Sequence, residues 1–558
     1  MLCNALTLLG VAIPTLSVPE TTAPRHVHLA YTASANIVVT WNTRNDTGTS
    51  TVMYTRVSEI NGIFINTPAQ TATGSSTLFV ANSSNHGRPQ YRAFIHRVVL
   101  HGLVAGANYT YTAGDPEGGW SNSGKFHFSE ASADSSTPIS FLAIADMSAN
   151  KIDGGFGGIA HELAREISRR PYDVILHGGD IAYDLHTVDN AGNSIGDAFL
   201  SDIDAVAGVV PYMVSPGNHE SFDNFTHFAN RFTMPEPYPK HQTGSSSSVG
   251  NMWWSLDLGY VHFISYNTES YFDDNGSNES VLTQYNWLRA DLAAAQDNRA
   301  NVPWIIAMGH RPFYCNVASN TSGVRLCDGE QEQSRVGPPR QHGSLSVEAL
   351  FHEFGVDLAL FGHVHDYSRY KPTYNHTVDS ESVSEDGHTY TDPRATTYLT
   401  IGGAGNPEMP QPPRSKCSTW DDGCRAINWS PWVVCESGAR PNHPLTLLAH
   451  YPHLLTHTYT HAPYTRPHIY LPTHIPRQQA TTHSPHLLTL THLQNHPPHS
   501  LTPSYPHHSI TTATTSTTAA TITTITTVAL ITTATTITTV ILLAPPLPPS
   551  PPSPPSPP

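Results

Sequence analysis

Five short apolar runs each end in residues that bind metal ions well. ISFLAIAD ends at Asp146, DVILHGGD at Asp180, VPYMVSPGNH at Asn218 and His219, WIIAMGH at His310, and DLALFGHVH at His363 and His365. Tyr183 follows Asp180 closely in GGDIAY, where Gly179 lets the backbone turn tightly. In open α/β sheets, ligands bind in the crevice beyond the carboxyl ends of the strands, so side chains far apart in sequence converge there. A lone strand-end Asp is more often a helix cap or turn residue. The signal is therefore the ordered set, in which GHVH is the strongest piece because an extended stretch presents two imidazoles to adjacent metals.

The ligand types agree with one another. Carboxylate and phenolate oxygens suit trivalent iron, whereas imidazole and an amide oxygen suit divalent zinc, manganese or iron. One carboxylate shared by two ions would hold them ~3.5–4 Å apart, the spacing of two-metal phosphoryl-transfer sites. No GxxxxGK[ST] loop is present, so nucleotide hydrolysis at a P-loop has no support.

These residues need a scaffold, and the chain of 558 residues divides by pattern. Residues 24–130 alternate apolar and polar positions in short runs such as NIVVTWNT and FIHRVVLHGL, which predicts a β-sandwich. Residues 137–432 alternate continuous apolar strands with amphipathic segments such as FGGIAHELAREISRR, which predicts an α/β catalytic domain of sheets flanked by helices. Residues 437–558 hold no Asp, Glu or Lys and pass from His/Thr/Pro-rich text to Thr/Ala/Ile repeats and PPLPPSPPSPPSPP, a low-complexity tail that is disordered or mis-translated.

The net charge of -16 argues against a nucleic-acid binder that works by neutralising phosphates. An anionic substrate must be attracted locally, for example by bound cations. Residues 1–17 form an apolar run of signal-peptide length. With sequons at Asn45, Asn82, Asn108, Asn224, Asn275, Asn278, Asn320, Asn375 and Asn428, they indicate a glycosylated protein on the secretory route, extracellular or vacuolar. Two local disulfides, Cys315 with Cys327 and Cys417 with Cys424, fit that oxidising compartment. The chargeless run from Val528 to Leu543 is dominated by Thr and is a poor membrane anchor.

The blocks AD, GDIAY, GNHE, GHRP and GHVH, in this order, resemble the purple acid phosphatases within the calcineurin-like metallophosphoesterases. The β-rich segment before them is similar to that family's fibronectin type III-like N-terminal domain, and the resemblance covers roughly residues 24–432. It implies an acid phosphatase that hydrolyses phosphate monoesters by attack of a metal-bound hydroxide. By the family's pattern Asp146, Asp180, Tyr183 and His365 hold Fe(III), while Asp180, Asn218, His310 and His363 hold a divalent ion (Zn, Mn or Fe), so Asp180 bridges. His219 is the candidate for contacting phosphate and protonating the leaving group, oriented by Glu220. The substrates implied are small phosphorylated molecules, not nucleic acid.

The sequence departs from the family in two places. Its first block reads Ala145-Asp146-Met147-Ser148 where the family has Gly-Asp-x-Gly, and the repetitive tail stands where the family chain continues with another strand. Two rival readings remain at this stage: an iron-free metallophosphodiesterase, against which Tyr183 speaks, and a surface glycoprotein with a degenerate catalytic domain, against which the complete ligand set speaks.

Overall fold

The computed structural model describes residues 22–406 except 61–62, 82–90, 123, 130–138, 150–158, 170, 189–193, 236–250, 273–277, 315–329, 339–343, 366 and 385–388, together with short strands at 433–434, 447–449, 469–470 and 539–542. The proposed signal segment and the cysteines Cys315, Cys327, Cys417 and Cys424 lie outside the described residues.

Alternation of buried and exposed positions builds the N-terminal domain as two antiparallel sheets. The first runs in the order Arg25–Tyr31, Ile37–Thr43, Tyr91–Leu100, Ser75–Ala81. The second orders Gly124–Phe128, Ala107–Asp115, Thr51–Ile60 and Ile63–Asn66, with Gln70–Thr73 and Gly119–Trp120 paired onto it. Between them Trp41 stacks on His96 with ring centroids 4.9 Å apart, and His96 is pinned by Thr43 and Ser50, both at 2.9 Å. The buried imidazole is thereby hydrogen-bonded on both nitrogens, which removes the cost of leaving them unpaired.

The second domain packs two mixed sheets face to face. In one, Ile139–Ile144, Val174–Gly178 and Tyr212–Ser215 are parallel, with Phe141 opposite Val174 and Ile175 opposite Tyr212. In the other, Val261–Ser265, Trp304–Met308, Leu358–Phe361 and Thr397–Ile401 are parallel, and Trp254–Leu258 and Tyr367–Tyr370 join antiparallel. All four central strands of the second sheet are buried at every position, the expected reason for their unbroken apolar runs. Phe141 of one sheet meets Phe263 of the other edge to face at 5.2 Å. Truncating such a ring to Ala costs ~3–5 kcal/mol, because the cavity cannot fully collapse.

Helices cover the outer faces. Asn278–Asp297 buries Trp287, Leu288 and Leu292, and Val347–Glu353, capped by Ser346 accepting from Ala349 N at 3.1 Å, buries Leu350 and Phe351. The consequence for function is directional. Parallel strands send their carboxyl ends to one rim, where residues 145–149, 179–184, 216–220, 266–271, 309–311 and 362–365 follow.

The two domains are stitched by polar contacts: Tyr111 OH donates to Gly208 O at 2.8 Å, Arg97 Nη2 to Asn230 O at 2.7 Å, and Tyr91 OH to Asp197 Oδ1 at 2.8 Å above the Arg231 guanidinium. In the tail, Thr539–Leu542 pairs antiparallel with the edge of Ile139–Ile144, placing Leu542 opposite Ile139. That strand is rich in β-branched residues and meets an edge whose backbone groups need partners. Composition alone had given no reason to place a strand there.

Candidate metal centre

Each block delivers its side chain from a strand end through an unusual backbone turn. Asp146, Asp180, Tyr183 and His363 have φ of 62°, 53°, 49° and 66°, the left-handed region that non-glycine residues avoid. Such strain costs ~1–3 kcal/mol per residue and persists where the fold over-determines a functional geometry. Asp146 shows how the missing family glycine is managed: the turn is made at Asp146 itself, whose N donates to Gly179 O at 3.1 Å. The neighbouring glycines are required by space. A Cβ at Gly217 would lie 2.3 Å from Asp180 Oδ1, and one at Gly362 2.4 Å from Asp146 Oδ2.

All seven residues singled out as ligands come together, in two overlapping groups. Ligand atoms of Asp146, Asp180 and His365 lie within 4.8 Å of one another, as do those of Asp180, His310 and His363. Tyr183 OH closes the first group, 3.1 Å from Asp146 Oδ1 and 2.9 Å from His365 Nε2. Asn218 Oδ1 closes the second, 3.2 Å from His310 Nε2 and 3.0 Å from His363 Nδ1. Asp180 belongs to both, with Oδ2 3.1 Å from His310 Nε2. The donor set fits a pair of cations: oxygen-rich on the Asp146 side, and two imidazoles with an amide oxygen on the other.

The electrostatics favour cation binding. Burial opposes ionisation of Asp180, but His310, His219 and His363 outweigh it and hold the carboxyl below its usual range. His310 is fully buried, which by itself disfavours its charged form, yet Asp180, Asp146 and Glu269 push its pKa up to about 9. The neighbouring carboxylates thus favour the charged form of His310, and a cation bound at this ring would displace that proton. The ring is already oriented for this, since Nδ1 donates to Gly178 O at 2.9 Å and leaves Nε2 facing Asp180.

Glu220 reaches the site with partners other than the His219 that the sequence suggested for it. His219 lies beside the cluster, Nε2 3.8 Å from Asp180 Oδ2, and its Nδ1 hydrogen-bonds the Asp184 carboxylate. Glu220 is taken up by backbone: Oε2 accepts from Asp180 N and Gly217 N, both at 2.9 Å, and Oε1 from Ile181 N at 2.8 Å. Burial and the Asp180 carboxylate push its pKa up. The expectation that Glu220 orients His219 is therefore corrected. Glu220 ties the Asp180 turn to the Asn218 turn, and Asp184 holds the imidazole.

Sequence reasoning missed Asp184, Glu269 and Arg311. Asp184 directly follows the GDIAY block, and Arg311 lies within GHRP, so both were in view without a stated reason to choose them. Glu269 follows the strand Val261–Ser265, a sixth strand end beside the His310 strand. Arg311 Nε donates to its two oxygens at 3.0 and 2.8 Å.

Comparison with known proteins gives a consistent picture. A family model described as calcineurin-like phosphoesterase matches residues 139–367, and one described as purple acid phosphatase, N-terminal domain, matches residues 24–128. Acid phosphatase type 7 of Danio rerio is 36% identical over 398 residues, covering 70% of this chain and 80% of the relative. The Homo sapiens protein of the same name is 35% identical, with 70% and 80% covered. Purple acid phosphatase 21 of Arabidopsis thaliana is 27% identical, with 69% and 72% covered. Among solved structures, a purple acid phosphatase from yellow lupin (Lupinus luteus) seeds aligns with a TM-score of 0.52 at 21% identity, over 74% of this chain and 68% of that one. At that identity the likeness speaks to the fold.

Proposed function

We propose, from the premise that this chain belongs to the purple acid phosphatases and is an acid phosphatase, that it hydrolyses phosphate monoesters at a mixed Fe(III)–divalent centre. Asp146, Asp180, Tyr183 and His365 would hold the iron, and Asp180, Asn218, His310 and His363 the divalent ion. The observation that carries this reading is the sharing of Asp180 by two ligand groups, one closed by a phenol and the other by an amide oxygen. When bound, such a pair supplies Lewis acidity and a water of lowered pKa, so that a nucleophile is available at acidic pH.

The chain's own residues do the rest. His219, partly exposed beside Asp180 and steadied by Asp184, contacts the phosphoryl group and hands a proton to the departing alcohol. Glu220 keeps the Asp180 and Asn218 turns in register, so that the two groups stay at the right separation. Substrates are small phosphorylated molecules met on the secretory route. Among the described residues no helix is long and apolar enough to cross a membrane.

Tyr183 separates this reading from an iron-free diesterase. A phenolate bound to Fe(III) absorbs visible light, so the purified protein is expected to be purple or pink. Tyr183→Phe should abolish the band while iron stays measurable. A colourless wild-type protein with full iron content and full monoesterase activity would overturn the assignment.

A further inference from the structure

Two half-buried rings that the proposed reaction does not use stand beside His219. His186 lies two residues beyond Asp184, and the buried Leu185 between them anchors that segment in the main core. Phe222 lies three residues beyond His219, at the start of the helix Phe222–Arg231. The two rings stack, with centroids 4.0 Å apart and planes 11° from parallel. They thus come from the two segments whose Asp184 and His219 hydrogen-bond each other. Burial lowers the pKa of His186; Asp184 opposes that shift and His219 adds to it, so both groups lie within electrostatic reach of the ring.

The pair is braced from behind. Asp223, Asn224 and Phe225 have φ of 51°, 54° and 60°, and they carry the chain from Phe222 to Phe225, which packs against the main core. Non-glycine residues adopt that left-handed conformation in succession only where their surroundings hold them in it. The buried His227 ring lies 6.4 Å from His186 and meets Phe79 and Tyr91 of the N-terminal domain at 5.3 and 5.6 Å. The β-sandwich therefore helps to fix the stack. Among the described residues His186 is the ring that Phe222 contacts, and stacking on it uses one face. A planar group arriving at the site can add to the other face in the offset geometry that aromatic rings prefer, which an aliphatic group cannot do.

We propose that Phe222, stacked on His186, is a specificity-determining residue that receives the ring of an aromatic leaving group, so that the preferred substrates are aryl phosphate monoesters. This rests on the two-metal reading above and on His219 as the group that protonates the departing oxygen. Whatever that oxygen carries then lies on the His219 side of the site, where the two rings stand.

The test uses the full-length, metal-loaded protein with benzylphosphonate and ethylphosphonate as probes. Both carry carbon in place of the ester oxygen and are not hydrolysed, so leaving-group acidity does not enter. Benzylphosphonate should inhibit the wild type more strongly than ethylphosphonate by roughly 3–10-fold, the worth of one aromatic pair. Phe222→Leu should remove that preference at unchanged metal content, and Phe222→Tyr should keep it. Equal inhibition of the wild type by the two phosphonates overturns the proposal, whether or not any variant folds. An unchanged preference in Phe222→Leu overturns it too, as does an equal weakening of both phosphonates, because the stack would then only steady the segments that carry Asp184 and His219. Metal per chain, measured on the wild type, separates the two failures. Absence of bound metal overturns the two-metal reading and the subsite with it, whereas bound metal with equal inhibition overturns the subsite alone.

Discussion

Of the buried clusters of carboxylates and cationic groups among the described residues, one at the strand ends and one at the junction of the domains are balanced in opposite ways. At the junction, Asp197 is neutralised by the chain itself. Arg231 Nη1 donates to Oδ1 at 2.7 Å, Tyr91 OH to the same oxygen at 2.8 Å, and Arg44 Nη2 to Oδ2 at 2.9 Å. At the strand ends, the partners of Asp146 and Asp180 among the described residues are imidazoles, a phenol and backbone N–H groups. None of those supplies a permanent positive charge. A carboxylate closed by arginine is balanced by the chain itself, whereas several carboxylates converging on titratable partners form a set that a cation can join.

The comparison breaks most visibly at Asp180. Asp180→Asn removes the shared charge, and both metals should be lost together with more than the ~10–100-fold drop in activity typical of outer-shell changes. Metal analysis per chain and monoester turnover check this, and retention of both metals at wild-type occupancy would show that Asp180 is not shared.

At the junction the corresponding change should act on stability. Arg231, 0% exposed, leaves Asp197 buried and under-compensated when replaced, so Arg231→Met is expected to cost ~3–5 kcal/mol by denaturant titration. Adding Asp197→Leu should recover much of that loss, since the uncompensated charge goes with it. Bound metal should stay unchanged in any fraction that folds.

Protons offer a third contrast. His310 has its pKa raised to about 9, so in the metal-free fold it is protonated at pH 6–7 and metal binding should release about one proton. Calorimetry in buffers of different ionisation enthalpy measures this, and metal binding without proton uptake by the buffer would contradict the balance described for the cluster. Asp197 behaves otherwise. Burial resists its charge, but Arg231 and His26 depress the pKa, so its contribution is present above the unfolded value of about 3.9 and fades only as pH falls through the depressed value. The junction should therefore stay intact in mild acid, where an acid phosphatase works.

The smallest effect is expected at Arg44, whose side chain is 40% exposed. Solvent screens its bond to Asp197, so Arg44→Ala should cost no more than about 1 kcal/mol, diminishing with added salt. A loss as large as that of Arg231→Met would mean that the junction depends on its rim rather than its centre.

Much of the candidate site was legible because its parts are local. Gly179 with φ of 88° answers to the turn read in GGDIAY, and the paired imidazoles of GHVH fall in the two different groups expected of them. The β-sandwich and the helix-flanked sheets were legible for the same reason, since alternation and continuous apolar runs report burial residue by residue. Asp184 and Glu220 were not, because adjacency in sequence says nothing about which way a strained turn points a carboxylate. The strand at 539–542 was likewise invisible, since its partner is a sheet edge nearly four hundred residues away.

What the sequence determined by itself is therefore the inventory: which residues can bind metals, that they end buried strands, and in what order they occur. Only the tertiary structure decided the grouping. Parallel pairing aligned the strand ends, left-handed turns at Asp146, Asp180 and His363 aimed the ligands, and packing of the two sheets placed Asp180 in both groups. The reason is physical. Ligand chemistry belongs to a side chain and travels with its letter, whereas the distance between two ligands is set by backbone pairing and side-chain packing contributed by the rest of the chain.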